Sequence, residues 1–165
     1  MKKDRLAVAF TGPSNSGKTT LIVKLSKLLQ EKGFKVSIIK HDPKDKAIFD
    51  KEGKDSHKFS KTGADVTVVS PNRTTIFKKE TSSIDNIISI FDHFDYLLVE
   101  GLKTLPLPRI CIQRVSINEN YFDVTDTIAC DNTIDKTKLP KNMESIDLND
   151  IEAIIEWINK NGKKV

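Results

Sequence analysis

The chain has 165 residues, of which 38% are hydrophobic and 30% charged, with a formal net charge of +4. That length closes a core without staples, and that balance excludes disordered and collagen-like classes. Acids and bases are interleaved with no run of five like charges, so the excess reads as solvated surface and no nucleic-acid partner is expected.

The basic start Met1–Leu6 leads into an apolar run that stops at Phe10, too short for a signal segment, and no stretch approaches membrane-spanning length. Cys111 and Cys130 sit in apolar segments with no CxxC or Cys/His spacing, which argues against a disulfide framework or a zinc site. A soluble, reduced, cytoplasmic protein without a membrane partner is expected.

Taken in order, Leu6–Phe10 is a continuous apolar run, as suits a strand buried on both faces. From Lys18 to Lys32, Leu21, Leu25, Leu28 and Leu29 form one helical stripe, ended by Gly33. Val36–Lys40 completes a β-α-β unit, most naturally parallel and right-handed. Residues 42–54 have many charges and little periodicity, as a functional loop or an irregular insert would. Residues 55–62 read as a short helix stopped by Gly63, and Val66–Ser70 and Thr74–Lys78 as strands around Pro71-Asn72-Arg73. Ser82 is placed to cap a helix carrying Ile84, Ile87, Ile88 and Phe91. Tyr96–Val99 is another apolar strand, followed by Glu100 and Gly101; Arg109–Gln113 and Thr127–Cys130 are shorter ones. A last helix opens at Asn149, with Glu152 in capping-box position, and buries Ile151, Ile154, Ile155 and Ile158. No repeat or linker interrupts the series. It predicts one domain over residues 1–165, a three-layer α/β/α fold with a mainly parallel sheet.

One segment carries specific chemistry. Gly12-Pro13-Ser14-Asn15-Ser16-Gly17-Lys18-Thr19 fits G-x-x-x-x-G-K-[ST], between a predicted buried strand and a predicted helix. Glycines at both ends permit a turn whose N–H groups face an anion, and the helix adds its positive end. Lys18 would reach the β- and γ-phosphates, Thr19 would ligate Mg²⁺, and Thr20 continues the site into the helix. A second metal group should end a neighbouring strand. Glu100 fills that position, with Glu where Asp is commoner, while Asp95 comes too early.

These motifs combine with others into a family resemblance. Lys40-His41 follows the second strand; then come Asp50 to Ser56, Gly63-Ala64, a strand leading to Arg73, Leu98-Val-Glu-Gly-Leu-Lys103, and a segment ending in Arg114. Over roughly residues 6–158 the chain resembles the molybdopterin-guanine dinucleotide biosynthesis adaptor protein B family, MobB. The resemblance implies a P-loop NTPase fold, GTP as ligand and a homodimer. It also implies an adaptor role in molybdenum cofactor biosynthesis, assisting a MobA-type guanylyltransferase that joins GMP to molybdopterin. The chain departs from the family at Lys40–Asp45, which lacks two of its histidines, and at Leu102, where phenylalanine is usual.

Other residues read in two ways. Asp42 or Asp45 is a metal-supporting group or a loop acid; Asp55 is a helix cap or faces nucleotide or pterin. Asp50–Gly53 fits D-x-x-G by chance, with no buried strand before it. His41 reads as a satisfied core-edge histidine in preference to a phosphate contact, Trp157 as core or dimer packing. Lys103 and Arg109 are candidates for an anionic substrate. Guanine needs paired acceptors, for which Asp131 is placed, with Asn132 for O6; a polar turn is the alternative. No catalytic base is evident, so hydrolysis is expected to be slow at most. The competing reading is a P-loop small-molecule kinase, using Lys18 and an arginine from residues 103–114 as clamps.

Overall fold

A computed structural model describes residues 5–165 of the chain; Lys2 and Lys3 of the basic start lie outside them. In chain order the elements are β1 (Leu6–Thr11), α1 (Lys18–Glu31), β2 (Val36–Lys40), α2 (Asp55–Lys61), β3 (Val66–Ser70), β4 (Arg73–Phe77) and α3 (Ile84–Ile90). Then follow β5 (Tyr96–Glu100), β6 (Arg109–Gln113), β7 (Thr127–Cys130), β8 (Glu144–Asp147), α4 (Ile151–Asn161) and β9 (Lys163–Lys164). Short 3₁₀ turns cover Glu119–Val124 and Lys136–Lys138. The described chain divides into two compact units, one ending at His41 and resuming over His93–Val165, the other spanning Asp42–Asp92.

The first unit is built on a sheet of order β2-β5-β1-β6-β7-β8, parallel throughout, with β9 pairing antiparallel to the start of β1. Because β1 lies inside the sheet, its side chains are buried on both faces, which is why Leu6–Phe10 shows no polar alternation. Val8, Phe10, Leu98, Ile110 and Ile112 turn to the face covered by α1 and α4, where Leu21, Leu25, Leu29, Ile154 and Ile158 meet them. Each such side chain contributes roughly 1.5–3 kcal/mol by leaving water. On the alternate pleat, Ile128 and Cys130 pack with Ile134 and Leu139. Trp157 belongs to the core under α4. Together these elements form the mostly parallel, helix-flanked sheet of the P-loop NTPase fold expected from the sequence.

Helix ends follow local chemistry. Gly33, with φ of 84°, turns the chain out of α1, and Phe34 N donates back to Leu29 O at 3.0 Å. The α4 cap is Asp150, one residue later than expected, because its carboxylate reaches Ala153 N. For the same reason Ser83, whose hydroxyl accepts from Asn86 N, caps α3 in place of Ser82. β8 and β9 have no counterpart among the expected strands: β8 alternates Ser145 and Ile146 among charges, and β9 is two lysines.

In the second unit β3 and β4 pair antiparallel from Val66↔Phe77 to Ser70↔Arg73, so the turn is Pro71-Asn72 and Arg73 is already strand. Neither α2 nor α3 has a buried residue. Ile48, Phe49, Phe59 and Val69 of this unit are exposed, Ile48 by 89%.

Candidate functional site

The segment between β1 and α1 turns three times through the left-handed region, at Gly12 (φ 135°), Asn15 (φ 62°) and Gly17 (φ 98°). At Gly12 the absence of a side chain is also a packing need, since a Cβ there would stand 2.5 Å from the Ile112 carbonyl oxygen. Gly17 precedes α1 without a side-chain cap, so the first-turn N–H groups of that helix stay open toward an anion.

Lys18 folds back over this loop and donates to Gly12 O at 3.0 Å and Pro13 O at 2.6 Å. Burial pulls its pKa below the ordinary lysine value; Glu100 opposes that shift and Lys40 adds to it. Thr19 Oγ1 donates to Glu100 Oε2 at 3.1 Å, and Lys40 Nζ lies 3.2 Å from Oε1 of the same carboxylate. Register explains the meeting: Phe10 and Lys40 both pair with Glu100, so β1, β2 and β5 end together beneath the loop. A cavity of about 490 Å³ opens here, its wall including Ser14, Asn15, Thr20, Lys40, Glu100 and Arg114. Ser16 is buried within the loop, its hydroxyl without a partner among the described residues.

Asp131, just past β7, is buried. Its Oδ2 accepts from Arg114 Nε at 2.8 Å, and its Oδ1 accepts from both the backbone N–H and the hydroxyl of Thr133. Those bonds, Thr133 first, hold the carboxyl below its usual range. Of about four acceptor positions on a carboxylate, three are filled. The expectation that Asp131 presents two free oxygens to a guanine therefore meets a carboxylate already engaged. Asn132 beside it is exposed.

Other candidates face different partners. Arg109 is buried and donates to the carbonyls of Gly101, Leu102 and Leu105, holding the loop after β5 and facing no open anion site. Lys103 Nζ sits 4.0 Å over the Tyr121 ring. His41 is exposed, not core-edge, although its backbone continues the pairing of β2 through Glu100 O. Asp42 accepts from the N–H groups of Lys44, Lys46 and Ala47, serving its own loop, where Asp45 takes a left-handed turn. Asp50 accepts from Ser56 Oγ ahead of α2, and Asp55 pairs with Lys58 on that helix. Asp95 accepts from Lys35 N, which anchors the start of β5.

Lys40 and Arg114 gained no individual role from the sequence. Both stand at the C-terminal ends of strands neighbouring or near β1. That edge is where open α/β sheets gather ligand groups, and the position alone could have flagged them.

Among the described residues no three His, Cys, Asp or Glu side chains could together hold a metal, and no helix is long and apolar enough to cross a membrane. Cys111 and Cys130 are buried free thiols, their pKa values raised chiefly by burial.

The sequence matches the family model described as molybdopterin guanine dinucleotide synthesis protein B over residues 7–132. It is 30% identical over 156 residues to the Haemophilus influenzae molybdopterin-guanine dinucleotide biosynthesis adapter protein, covering 92% of this chain and 86% of that protein. The Escherichia coli protein of the same name is 28% identical over 93% of each chain. The Bacillus subtilis MobB crystal structure superposes with a TM-score of 0.75 over 96% of this chain and 98% of that one; at 21% identity this is a likeness of fold. With the phosphate loop, the sheet order and these matches in agreement, the chain belongs to the molybdopterin guanine dinucleotide synthesis protein B family, MobB.

Proposed function

We propose that this chain is a GTP-binding adapter in molybdenum cofactor biosynthesis, assisting a MobA-type guanylyltransferase in the formation of molybdopterin guanine dinucleotide. The observation that carries this reading is the phosphate loop of Gly12–Thr19, with Lys18, Thr19 and Glu100 gathered at the sheet edge, in a chain of the MobB family. The buried, unpartnered Ser16 hydroxyl supports an anion in the loop.

Mg²⁺ fits the donors available. Thr19 and Glu100 are hard oxygen ligands, and Mg²⁺ ordinarily takes one or two protein oxygens, with phosphate and water completing its shell. Three cations line the cavity, Lys18, Lys40 and Arg114, which suits a triphosphate. Glu100 is the one carboxylate among the described residues lining the cavity, and it is engaged by Thr19 and Lys40. On this reading hydrolysis is slow at most. The exposed Ile48, Phe49, Phe59 and Val69 support a homodimer that covers apolar surface of the second unit. The reading places the protein in the cytoplasm with molybdopterin and its transferase.

Calorimetric titration with GTP, ATP and molybdopterin, with and without Mg²⁺, tests this. Tighter binding of GTP than ATP, enhanced by Mg²⁺, is expected. Fast stoichiometric transfer of phosphate to a small acceptor would replace the adapter with a kinase.

A further inference from the structure

β6 ends in a strained turn. Val115 has φ of 68°, where a β-branched residue is an outlier, and Ser116 N donates across it to Arg114 O at 2.7 Å. Strain of this kind persists only where its surroundings over-determine it, and it gathers at ligand clamps. Here the surroundings are explicit. Val115 N donates to Thr133 Oγ1 at 2.8 Å, that hydroxyl donates to Asp131, and Asp131 takes Arg114 Nε at 2.8 Å. This ring of hydrogen bonds holds one guanidinium in place. Among the described residues only its Nε makes a hydrogen bond, and the side chain remains 47% exposed, so the guanidinium has donors and surface left for a ligand.

The guanidinium lies over the phosphate loop, with Nη1 3.5 Å from where a Gly17 Cβ would stand. It also borders a second cavity of about 150 Å³, whose wall includes Thr20, Leu21, Lys24, Leu148 and Asn149. Leu21 and Leu148 contribute apolar side chains to that wall beside the polar Thr20, Lys24 and Asn149, a mixture that a nucleoside, with both a heterocycle and hydroxyls, can match. The sheet gives the direction. Thr19 and Glu100 mark the β5 flank of β1, and Arg114 the β6 flank. A phosphate chain with its metal end at Glu100 sends its nucleoside out on the opposite flank.

We propose that Arg114 is a nucleoside-contacting residue, its guanidinium separating the phosphate cavity from a nucleoside subsite walled by Leu21, Leu148 and Asn149, and that Asp131 is a positioning residue for Arg114. A guanidinium plane stacks on a purine and its edge donates to ribose or base oxygens. The inference rests on the nucleotide-binding reading above and assigns the end of the ligand that the phosphate loop does not touch.

The test is calorimetric titration of GTP and of inorganic tripolyphosphate, both with Mg²⁺, into wild type, Arg114→Ala, Arg114→Lys and Asp131→Asn, with melting temperatures measured alongside. Arg114→Ala should lose about ten-fold in GTP affinity, the size of one such contact, while tripolyphosphate affinity falls by a much smaller factor. Arg114→Lys keeps the charge without the plane and should stay defective. Asp131→Asn should lose GTP affinity similarly, and the double variant Arg114→Ala/Asp131→Asn should lose little more, because the two act as a unit. Equal loss for tripolyphosphate would make Arg114 a phosphate clamp and overturn the proposal, as would undiminished GTP binding in Arg114→Ala. Xanthosine triphosphate regaining affinity in Asp131→Asn would show that Asp131 reads the base directly, overturning its positioning role. If wild type binds tripolyphosphate as tightly as GTP, the nucleoside subsite fails while the phosphate loop stands; if it binds neither, both readings fall.

Discussion

Thr19 Oγ1 and Glu100 Oε2 stand 3.1 Å apart, joining the first turn of α1 to the end of β5 across 81 residues of sequence. On the reading proposed above, this hydroxyl and carboxylate would hold Mg²⁺ together with triphosphate oxygens and water. Glu100→Gln keeps the size, turns one acceptor oxygen into a donor and removes the charge. Its Mg²⁺-dependent gain in triphosphate affinity should shrink about ten-fold, a loss near 1.4 kcal/mol. Metal-free binding should stay level or tighten, because one negative charge has left the anion site. Titrations in Mg²⁺ and in chelator compare the two; an unaltered metal response would move the metal away from Glu100.

Lys18→Ala should weaken triphosphate binding by about a hundred-fold or more, since a lost charge-assisted contact to phosphate costs about 1.5–3 kcal/mol and the proposed role of this lysine is to reach two phosphates. The same substitution removes only the bonds to Gly12 O and Pro13 O from the protein itself. The melting temperature should therefore change little. Near-wild-type affinity at an unchanged melting temperature would sink the phosphate-loop assignment.

How much of this was legible beforehand depended on whether a feature is local. The phosphate loop is written contiguously, and β1, α1 and β5 follow from hydrophobic period, so Gly12 to Thr19 and the strand ending at Glu100 were readable. Asp131 was readable as a polar residue past a buried strand, but its engagement by Arg114 was not, because β6 and β7 meet only in the sheet. β9 was invisible for a physical reason: two lysines carry no apolar signal, and their pairing with Leu6 and Ala7 is made by backbone alone. Arg109 misled because an arginine beside prolines looks exposed. The three carbonyls that bury it come from the loop at Gly101–Leu105, whose folding no periodicity announces.

Arg109 accordingly yields a structural prediction. Arg109→Ala leaves three partly buried carbonyls short of a donor and a void where the buried side chain packed. It should destabilise the protein by about 3 kcal/mol or more in urea denaturation. Arg109→Lys supplies one donor head where the fork supplied several, so it should recover only part of that loss. A variant of wild-type stability with weakened binding of anionic ligands would return Arg109 to the substrate side.

The last prediction concerns pH and follows from the partly buried ammonium of Lys18. Desolvation is the largest influence on it and lowers its pKa from the ordinary 10.5; Glu100 pushes the other way and Lys40 reinforces the drop. A triphosphate brings negative charge against this group and favours its protonated form, so the pKa rises again in the complex. Binding then takes up a proton between the two values. Affinity is full below the free-protein pKa and falls as the pH rises through it. Stability moves oppositely. The folded protein holds this proton less tightly than the unfolded chain, so stability of the free protein rises across the interval between the lowered value and 10.5. One group thus gives two readouts of opposite sign. Titrations in buffers of different ionisation enthalpy should reveal proton uptake on the alkaline limb. Lys18→Arg, which stays charged throughout, should bind with no alkaline decline whatever its overall affinity. An identical decline in Lys18→Arg would assign the titration to another group.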